Sequence, residues 1–142
     1  MVIRQIQAKV IVAGQAKGSI LKLSSPLSLW GGLNPETGEI IDRHHPESGL
    51  NVTGHILVMP SGRGSSSASS ILLEAVRQNK APAAIILATM DGILALGAVV
   101  AREIYEVNLP VLIVTEIDYA SLQPDQFLTI HPDGTIMNSG AD

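Results

Sequence analysis

Apolar and polar side chains alternate over residues 2–12, a glycine at position 14 interrupts them, and a second alternating run covers 18–23. A period of two predicts strands, here one long strand followed by another in a hairpin or meander. Over residues 24–54 the periodicity dissolves among Pro26, Pro35, Pro46, Gly31, Gly32, Gly38 and Gly49, and only residues 39–42 offer a short strand. A stretch of this length inside a compact domain carries function or is disordered, and the sole tryptophan, Trp30, favours order.

Regular patterning returns at 55–59, a short apolar run that fits a buried strand. Leu72, Leu73 and Val76 then share one helical face opposite Glu74, Arg77 and Gln78, and Pro82 places the end of that helix near Asn79 or Lys80. Residues 83–88 form a continuous apolar strand. A second helix spans 92–105 with Asp91 as its N-cap and with Ile93, Leu96, Gly97, Val100, Ala101 and Ile104 expected on its inner face. Pro110 introduces the apolar strand 111–114. This strand–helix–strand–helix–strand order predicts parallel pairing. Residues 127–131, the turn Pro132-Asp133-Gly134 and residues 135–137 predict a closing hairpin. The expected fold class is α/β, a single domain over residues 1–142 with a β-rich part around a βαβαβ centre.

Composition narrows the classes. A chain of 142 residues buries a core without disulfide or metal staples. With 46% hydrophobic but only 3% aromatic residues, that core is built from Ile, Val, Leu and Ala. There is no cysteine, which excludes a disulfide scaffold, thiol catalysis and thiolate ligands from this chain; any iron–sulfur chemistry needs a partner's cysteines. The basic residues are scattered and the formal net charge is −4, so nucleic acid is not an expected partner. No apolar run reaches membrane-spanning length and the N-terminal pattern is that of a strand rather than a signal peptide, so the expected location is the cytoplasm. The sequon Asn51-Val52-Thr53 is read as coincidence.

Candidate chemistry lies at residues 59–70, Met-Pro-Ser-Gly-Arg-Gly-Ser-Ser-Ser-Ala-Ser-Ser, where a strand passes into a helix through glycines, a guanidinium and hydroxyls. A Walker A loop would need a Lys that is absent, and Ser67 stands where the third glycine of a dinucleotide fingerprint belongs. What remains is a helix start beside Arg63, suited to a carboxylate or phosphate; the plainer alternative is a turn whose Ser66 or Ser67 caps the helix. A Ser-His-Asp hydrolase using His44, His45, His55 or His131 with Asp42 competes weakly, because the Gly-x-Ser-x-Gly spacing is missing. His44 and His45 are adjacent and point apart, so they do not share a metal ion. One of them faces a ligand or binds a loop carbonyl; His55 and His131 are assigned structural roles. Trp30 is a loop anchor or a substrate platform, and Gly31-Gly32 marks a tight turn or the close approach of a ligand.

Five segments occur in a fixed order: Ser25-Pro26-Leu27-Ser28-Leu29-Trp30-Gly31-Gly32, Asn34-Pro35-Glu36-Thr37-Gly38, Ile41-Asp42-Arg43-His44-His45-Pro46, Pro60-Ser61-Gly62-Arg63-Gly64-Ser65-Ser66-Ser67 and Lys80-Ala81-Pro82-Ala83-Ala84-Ile85-Ile86. Together, over about residues 14–114, they resemble the small subunit, or swivel domain, of aconitase X. The resemblance implies a swivelling β/β/α domain with a barrel-like β part. It implies a dehydratase whose large subunit holds an iron–sulfur cluster while the small subunit closes the site over a small carboxylate substrate. It further implies Ser65 as the base that removes a proton α to a carboxylate. From the residues themselves, the cation and helix start place Arg63, Gly64, Ser66 and Ser67 around the substrate, the long turn-rich loop is expected to bring Trp30 and His44 or His45 near Ser65, and no metal ligand is expected in this chain. Two substrates occur in the family, cis-3-hydroxy-L-proline, dehydrated towards Δ1-pyrroline-2-carboxylate, and mevalonate 5-phosphate. The versions Trp30-Gly31-Gly32 and His44-His45-Pro46 resemble the hydroxyproline enzymes. Ser66-Ser67-Ala68-Ser69 departs from relatives that often carry another glycine there. The alternative of a different class is an anion-binding module that does no chemistry.

Overall fold

The computed structural model describes residues 4–62 and 67–141. In chain order its elements are β1 Arg4–Gln7, β2 Lys9–Val12, β3 Ala16–Lys22, α1 Leu29–Gly32, β4 Ile56–Met59, α2 Ala68–Arg77, β5 Ala84–Leu87, α3 Gly92–Tyr105, β6 Val111–Ile113, α4 Glu116–Ser121, β7 Gln126–Ile130 and β8 Thr135–Ala141. The eight strands form one sheet in the order β1-β8-β7-β3-β4-β5-β6-β2. β3 to β6 are parallel neighbours, and the remaining pairs are antiparallel.

The two edge strands, β1 and β2, are separated by Ala8 alone. One stretch of chain therefore supplies both edges, pairing with β8 through Arg4–Gln7 and with β6 through Lys9–Val12, while the Ala8 N–H donates to Gly134 O at 2.9 Å. The sheet curls into a nearly closed barrel as a result. This corrects two expectations. The strand expected over residues 2–12 is two strands in its described part, 4–12, positions 2 and 3 lying outside the described residues, and no hairpin joins it to β3, whose neighbours are β7 and β4. Alternation in sequence specifies which face of a strand is buried and says nothing about which strand lies beside it.

Each of β4 and β5 is buried at all four positions, as continuous apolar runs require of strands covered on both faces. Leu57, Met59, Ile85 and Leu87 point to one core, shared with Leu72 and Ala75 of α2 and Ala98 and Ala101 of α3. Ile56, Val58, Ala84 and Ile86 point to a second core with Ile6, Leu128, Ile130 and Ile136. The layers are thus β/β/α. At roughly 1.5–3 kcal/mol for each large apolar side chain removed from water, the two cores supply the main drive for folding.

α2 and α3 occupy the predicted places, with Asn79 in the left-handed region just after α2 and the Asp91 side chain capping α3. The inner face of α3 differs from expectation. Leu94, Ala95, Gly97, Ala98 and Ala101 are buried, whereas Leu96 and Ile104 are exposed. The helix is apolar nearly all round, so periodicity could not phase it; small residues win the inner face because they let α3 sit close to α2 and the sheet. α4 was not foreseen. It is short, with no fully buried residue, and is nucleated by Thr115 Oγ1 accepting from Asp118 N at 3.1 Å. The closing hairpin β7–β8 forms as predicted. Among the described residues no helix is long and apolar enough to cross a membrane.

Candidate functional site at the C-terminal edge of the parallel strands

Because β3 to β6 run parallel, the segments that leave them gather along one edge, where open α/β sheets usually take their ligands. Three contacts knit this edge together. Pro60 O accepts from Ala88 N at 3.2 Å and from Thr89 N at 3.1 Å, tying the exit of β5 to that of β4. Leu27 makes an isolated parallel bridge to Gly62. Asp91, between β5 and α3, lies against the Gly62 backbone, where any Cβ would overlap its Oδ2.

The segment 24–54 is ordered by apolar anchors rather than by regular structure: Leu27, Leu29, Leu33, Ile40 and Val52 are all buried in the helix-side core. The expected strand at 39–42 reduces to single bridges, Leu33 with Ile40 and Glu39 with Asn51. Trp30 sits in the short, broken turn α1, where Gly31 has φ 76°, a left-handed conformation that glycine adopts without strain. The tryptophan is 59% exposed, so it does not serve as an anchor of the core. Ile41 N donates to Gly32 O at 2.8 Å, joining this turn to the histidine segment.

The two histidines separate cleanly. His45 is buried, its Nδ1 accepts from Glu47 N at 3.1 Å, and its Nε2 lies 3.1 Å from Ser25 O. Acceptance at Nδ1 puts the proton on Nε2, which donates to the Ser25 carbonyl. With Nδ1 engaged in this way, its 4.0 Å approach to Glu47 Oε1 is not an ion pair. His45 is therefore a strut within the loop, and His44, which is exposed, is the one with a free ring. The Asp42 carboxylate accepts from His44 N at 3.0 Å and holds the turn, so it does not orient an imidazole as a hydrolase triad would need. His55 Nδ1 lies 3.2 Å from Ser19 O. Both His55 and His131 sit at the opposite, N-terminal edge of the parallel strands, since β7 ends beside the start of β3.

Arg63, Gly64, Ser65 and Ser66 lie outside the described residues. Ser67 occupies the N-cap position of α2, and its carbonyl accepts from Ser70 N at 3.1 Å, but its hydroxyl does not cap the helix.

A cleft of about 450 Å³ opens at the same edge, walled by Lys22, Ser24, Glu47, Pro60 and Tyr119. Of these, only Pro60 lay in a segment that the sequence singles out. Lys22 ends an ordinary strand, and Tyr119 belongs to the helix that was not foreseen. Lys22 Nζ donates to Leu122 O at 2.6 Å and Tyr119 O at 3.1 Å, and lies 4.7 Å from the centre of the Tyr119 ring. Burial lowers the Lys22 pKa. Burial, and then the Glu47 charge, raise that of the Tyr119 phenol.

Fold and loop placement together define a β/β/α domain of the swivelling class, with its loops gathered at the C-terminal edge of the parallel strands. The family model described as the aconitase X swivel domain matches residues 5–138, and the chain belongs to that family. A chain in the crystal structure titled Thermococcus kodakaraensis aconitase X (holo-form) superposes with a TM-score of 0.82 at 30% identity, covering 95% of this chain and 98% of that one. A Pseudomonas aeruginosa protein named cis-3-hydroxy-L-proline dehydratase is 48% identical over 111 residues, 78% of this chain and 19% of the relative. The protein named phosphomevalonate dehydratase small subunit from Methanothermobacter thermautotrophicus is 37% identical over 97 residues, 68% of this chain and 74% of the relative. The chain spans only about a fifth of the length of the curated hydroxyproline dehydratases it matches, 19% and 21%.

Proposed function

We propose that this chain is the swivel subunit of an aconitase X hydro-lyase that works with a cysteine-bearing large subunit on cis-3-hydroxy-L-proline. The observation that carries this reading is the meeting of the Trp30 loop and the start of the 62–67 segment through Leu27 and Gly62, which brings the family's motifs to the ligand-taking edge of the sheet. The higher identity to the hydroxyproline dehydratase, 48% against 37%, favours that substrate. Likeness to relatives named small subunit supports the two-subunit arrangement. The proposed setting is cytoplasmic, with neither nucleic acid nor membrane as a partner.

An iron–sulfur cluster does not fit the donor set of this chain. It has no cysteine, and among the described residues no group of three or more His, Asp or Glu side chains is placed to hold a metal ion. The cluster is assigned to the partner. In this chain, Ser65 takes the proton α to the substrate carboxylate. The β-hydroxyl leaves as hydroxide and departs as water with the proton that Ser65 took, which restores Ser65, and the resulting enamine tautomerises to Δ1-pyrroline-2-carboxylate. Arg63, Gly64, Ser66, Ser67 and the first N–H groups of α2 receive the carboxylate. Trp30 and His44 close over the substrate, and His45 holds their loop.

Dehydration of mevalonate 5-phosphate is the second reading, favoured by the 74% coverage of the archaeal small subunit. Co-production with a large subunit and assay of both substrates separates the readings. The expected result is water loss from cis-3-hydroxy-L-proline by the complex, with neither turnover nor iron–sulfur absorbance from the chain alone. Turnover by the isolated chain overturns the two-subunit reading, and turnover of mevalonate 5-phosphate alone reassigns the substrate. A complex that binds carboxylates without turnover is a binding module.

A further inference from the structure

We propose that Glu47 is a positioning residue: it ties down the chain that leaves β3 and so fixes the place of Gly62, from which the serine-bearing segment departs. β3 and β4 pair in strict register from Ile20 with Ile56 to Lys22 with Val58, and the Leu23 N–H still donates to Val58 O at 2.8 Å. Pairing resumes at Leu27 with Gly62. Between these points the β3 side advances from 22 to 27 while the β4 side advances from 58 to 62, so the β3 side carries one extra residue. That surplus takes the β3 side out of the ladder as an arch, and Ser24, Glu47 and Pro60 wall the cleft beside it.

An arch strips backbone groups of their ladder partners, and these need new ones. Pro26 has no N–H to offer. The Ser24 N–H, which faces away from β4 because that of Leu23 faces it, donates to Glu47 Oε1 at 2.6 Å, and Ser24 Oγ lies 3.1 and 3.0 Å from the two carboxylate oxygens. The Ser25 carbonyl takes the His45 Nε2 proton at 3.1 Å, and His45 Nδ1 receives the Glu47 N–H. One residue thus satisfies Ser24 with its side chain and steadies the partner of Ser25 with its backbone. Without the carboxylate, the Ser24 N–H has lost the group that ties it down, residues 24–26 are free to shift, and Leu27 loses its register with Gly62. Glu47 touches no reacting atom in this account. It acts through Leu27 and Gly62, and its kinetic consequence rests on the dehydratase reading.

The test compares Glu47→Ala, Glu47→Gln and, as a control in the opposite core, Ile136→Ala. Gln keeps an oxygen for the Ser24 N–H and is the rescuing variant. Amide NMR of the isolated chain should show shifts at Leu27 and Gly62 in Glu47→Ala that Glu47→Gln largely reverses and Ile136→Ala lacks. In the complex with the large subunit, Glu47→Ala should lower kcat on cis-3-hydroxy-L-proline by about 10- to 100-fold, the scale of a misplaced reacting group, with KM within about threefold. Glu47→Gln should stay within about threefold in kcat. Ile136→Ala, compared at equal distance below its melting temperature, should keep kcat. Unmoved Leu27 and Gly62 amides, or a kcat loss no larger than the control's, overturn the proposal. If Glu47→Ala does not fold, Glu47→Asp, whose carboxylate is one methylene short of Ser24, takes its place with the same expected shifts and kcat loss. A wild-type complex that dehydrates neither substrate refutes the functional reading alone, and the amide shifts still decide the positioning role.

Discussion

The Asp91 carboxylate caps α3 with one oxygen and seats Gly62 with the other. Oδ1 accepts from Ile93 N at 2.9 Å and Leu94 N at 3.2 Å, while Oδ2 fills the space a side chain at position 62 would need. A helix cap and a close backbone approach thus share one group, so the start of α3 and the exit of β4 are not independent. Gly62→Ala should force the carboxylate off its cap or pull Gly62 from Leu27, at a cost of about 1–3 kcal/mol. Asp91→Ala should cost about 0.5–2 kcal/mol as a lost cap. The double variant should be less destabilised than the sum, by at least about 0.5 kcal/mol, because each change removes the other's conflict. Denaturant melts of the four proteins give the cycle, and strictly additive losses would show that the two residues do not compete for the same space.

What the sequence disclosed followed from local physics. β4, β5, α2, α3 and the closing hairpin were legible because each is fixed by its own period, its cap or its turn, as with Asp91 before α3 and Pro132-Asp133-Gly134 before β8. The division of residues 4–12 into two edges was not legible, since Ala8 carries no turn signal and the division exists only because β6 and β8 lie on opposite sides of it. The inner face of α3 was hidden by its apolar outer face, where Leu96 and Ile104 look like core residues but are exposed. In the site, the choice between His44 and His45 depended on where Ser25 O and Glu47 N would lie, a matter of tertiary placement. The Lys22, Ser24 and Glu47 cleft was invisible for the same reason.

On the outer face of α2, Arg77 Nε and Nη2 donate to Glu74 Oε1 at 2.8 Å and Oε2 at 2.6 Å. These bonds, with a further one from Gln78, hold the Glu74 pKa at about 2 against an ordinary 4.5. A depressed carboxyl contributes stability that is complete above its unfolded value and fades as pH falls through its folded value, so this contribution disappears between about pH 4.5 and pH 2. The pair is exposed, and its effect on the melting temperature should be slight. Carboxyl NMR titration is the sharper measurement. Arg77→Met should move the Glu74 midpoint upward while the remaining Gln78 bond keeps it below the ordinary value. An unmoved midpoint would mean that the guanidinium is not the main cause.

Trp30 is the sole tryptophan of the chain and is exposed at the proposed docking edge, which makes it a native reporter of assembly. The isolated chain should emit as a solvated indole. Adding a large subunit that lacks tryptophan near the contact should shift the emission to the blue and protect it from acrylamide quenching. Trp30→Ala should leave the melting temperature of the isolated chain nearly unchanged, because an exposed side chain contributes little to the core, yet weaken assembly about tenfold or more, as truncation of an interface aromatic commonly does. Emission that ignores the partner would place the interface elsewhere.

The decisive variant is Ser65→Ala. The resemblance assigns Ser65 the role of base, and a serine accepts a proton in this way only if its alkoxide is stabilised by neighbouring donors. Removing the hydroxyl leaves the loop's size and backbone preference almost intact. In the reconstituted complex, KM for cis-3-hydroxy-L-proline should therefore hold while kcat falls by about two orders of magnitude or more, the scale of a lost positioned base. Ser67→Ala should be mild in kcat, since the Ser67 hydroxyl does not cap α2 and the carbonyl that opens the helix is retained. Arg63→Ala should act mainly on KM, as the loss of an anion's partner does. Solvent-exchange NMR of the substrate α-proton adds a readout independent of hydroxyl departure: Ser65→Ala should abolish exchange, whereas a variant impaired only in water loss would still wash the proton out. Near-normal kcat and exchange in Ser65→Ala, with both lost in Ser66→Ala or Ser67→Ala, would move the base along the loop and leave the family assignment standing.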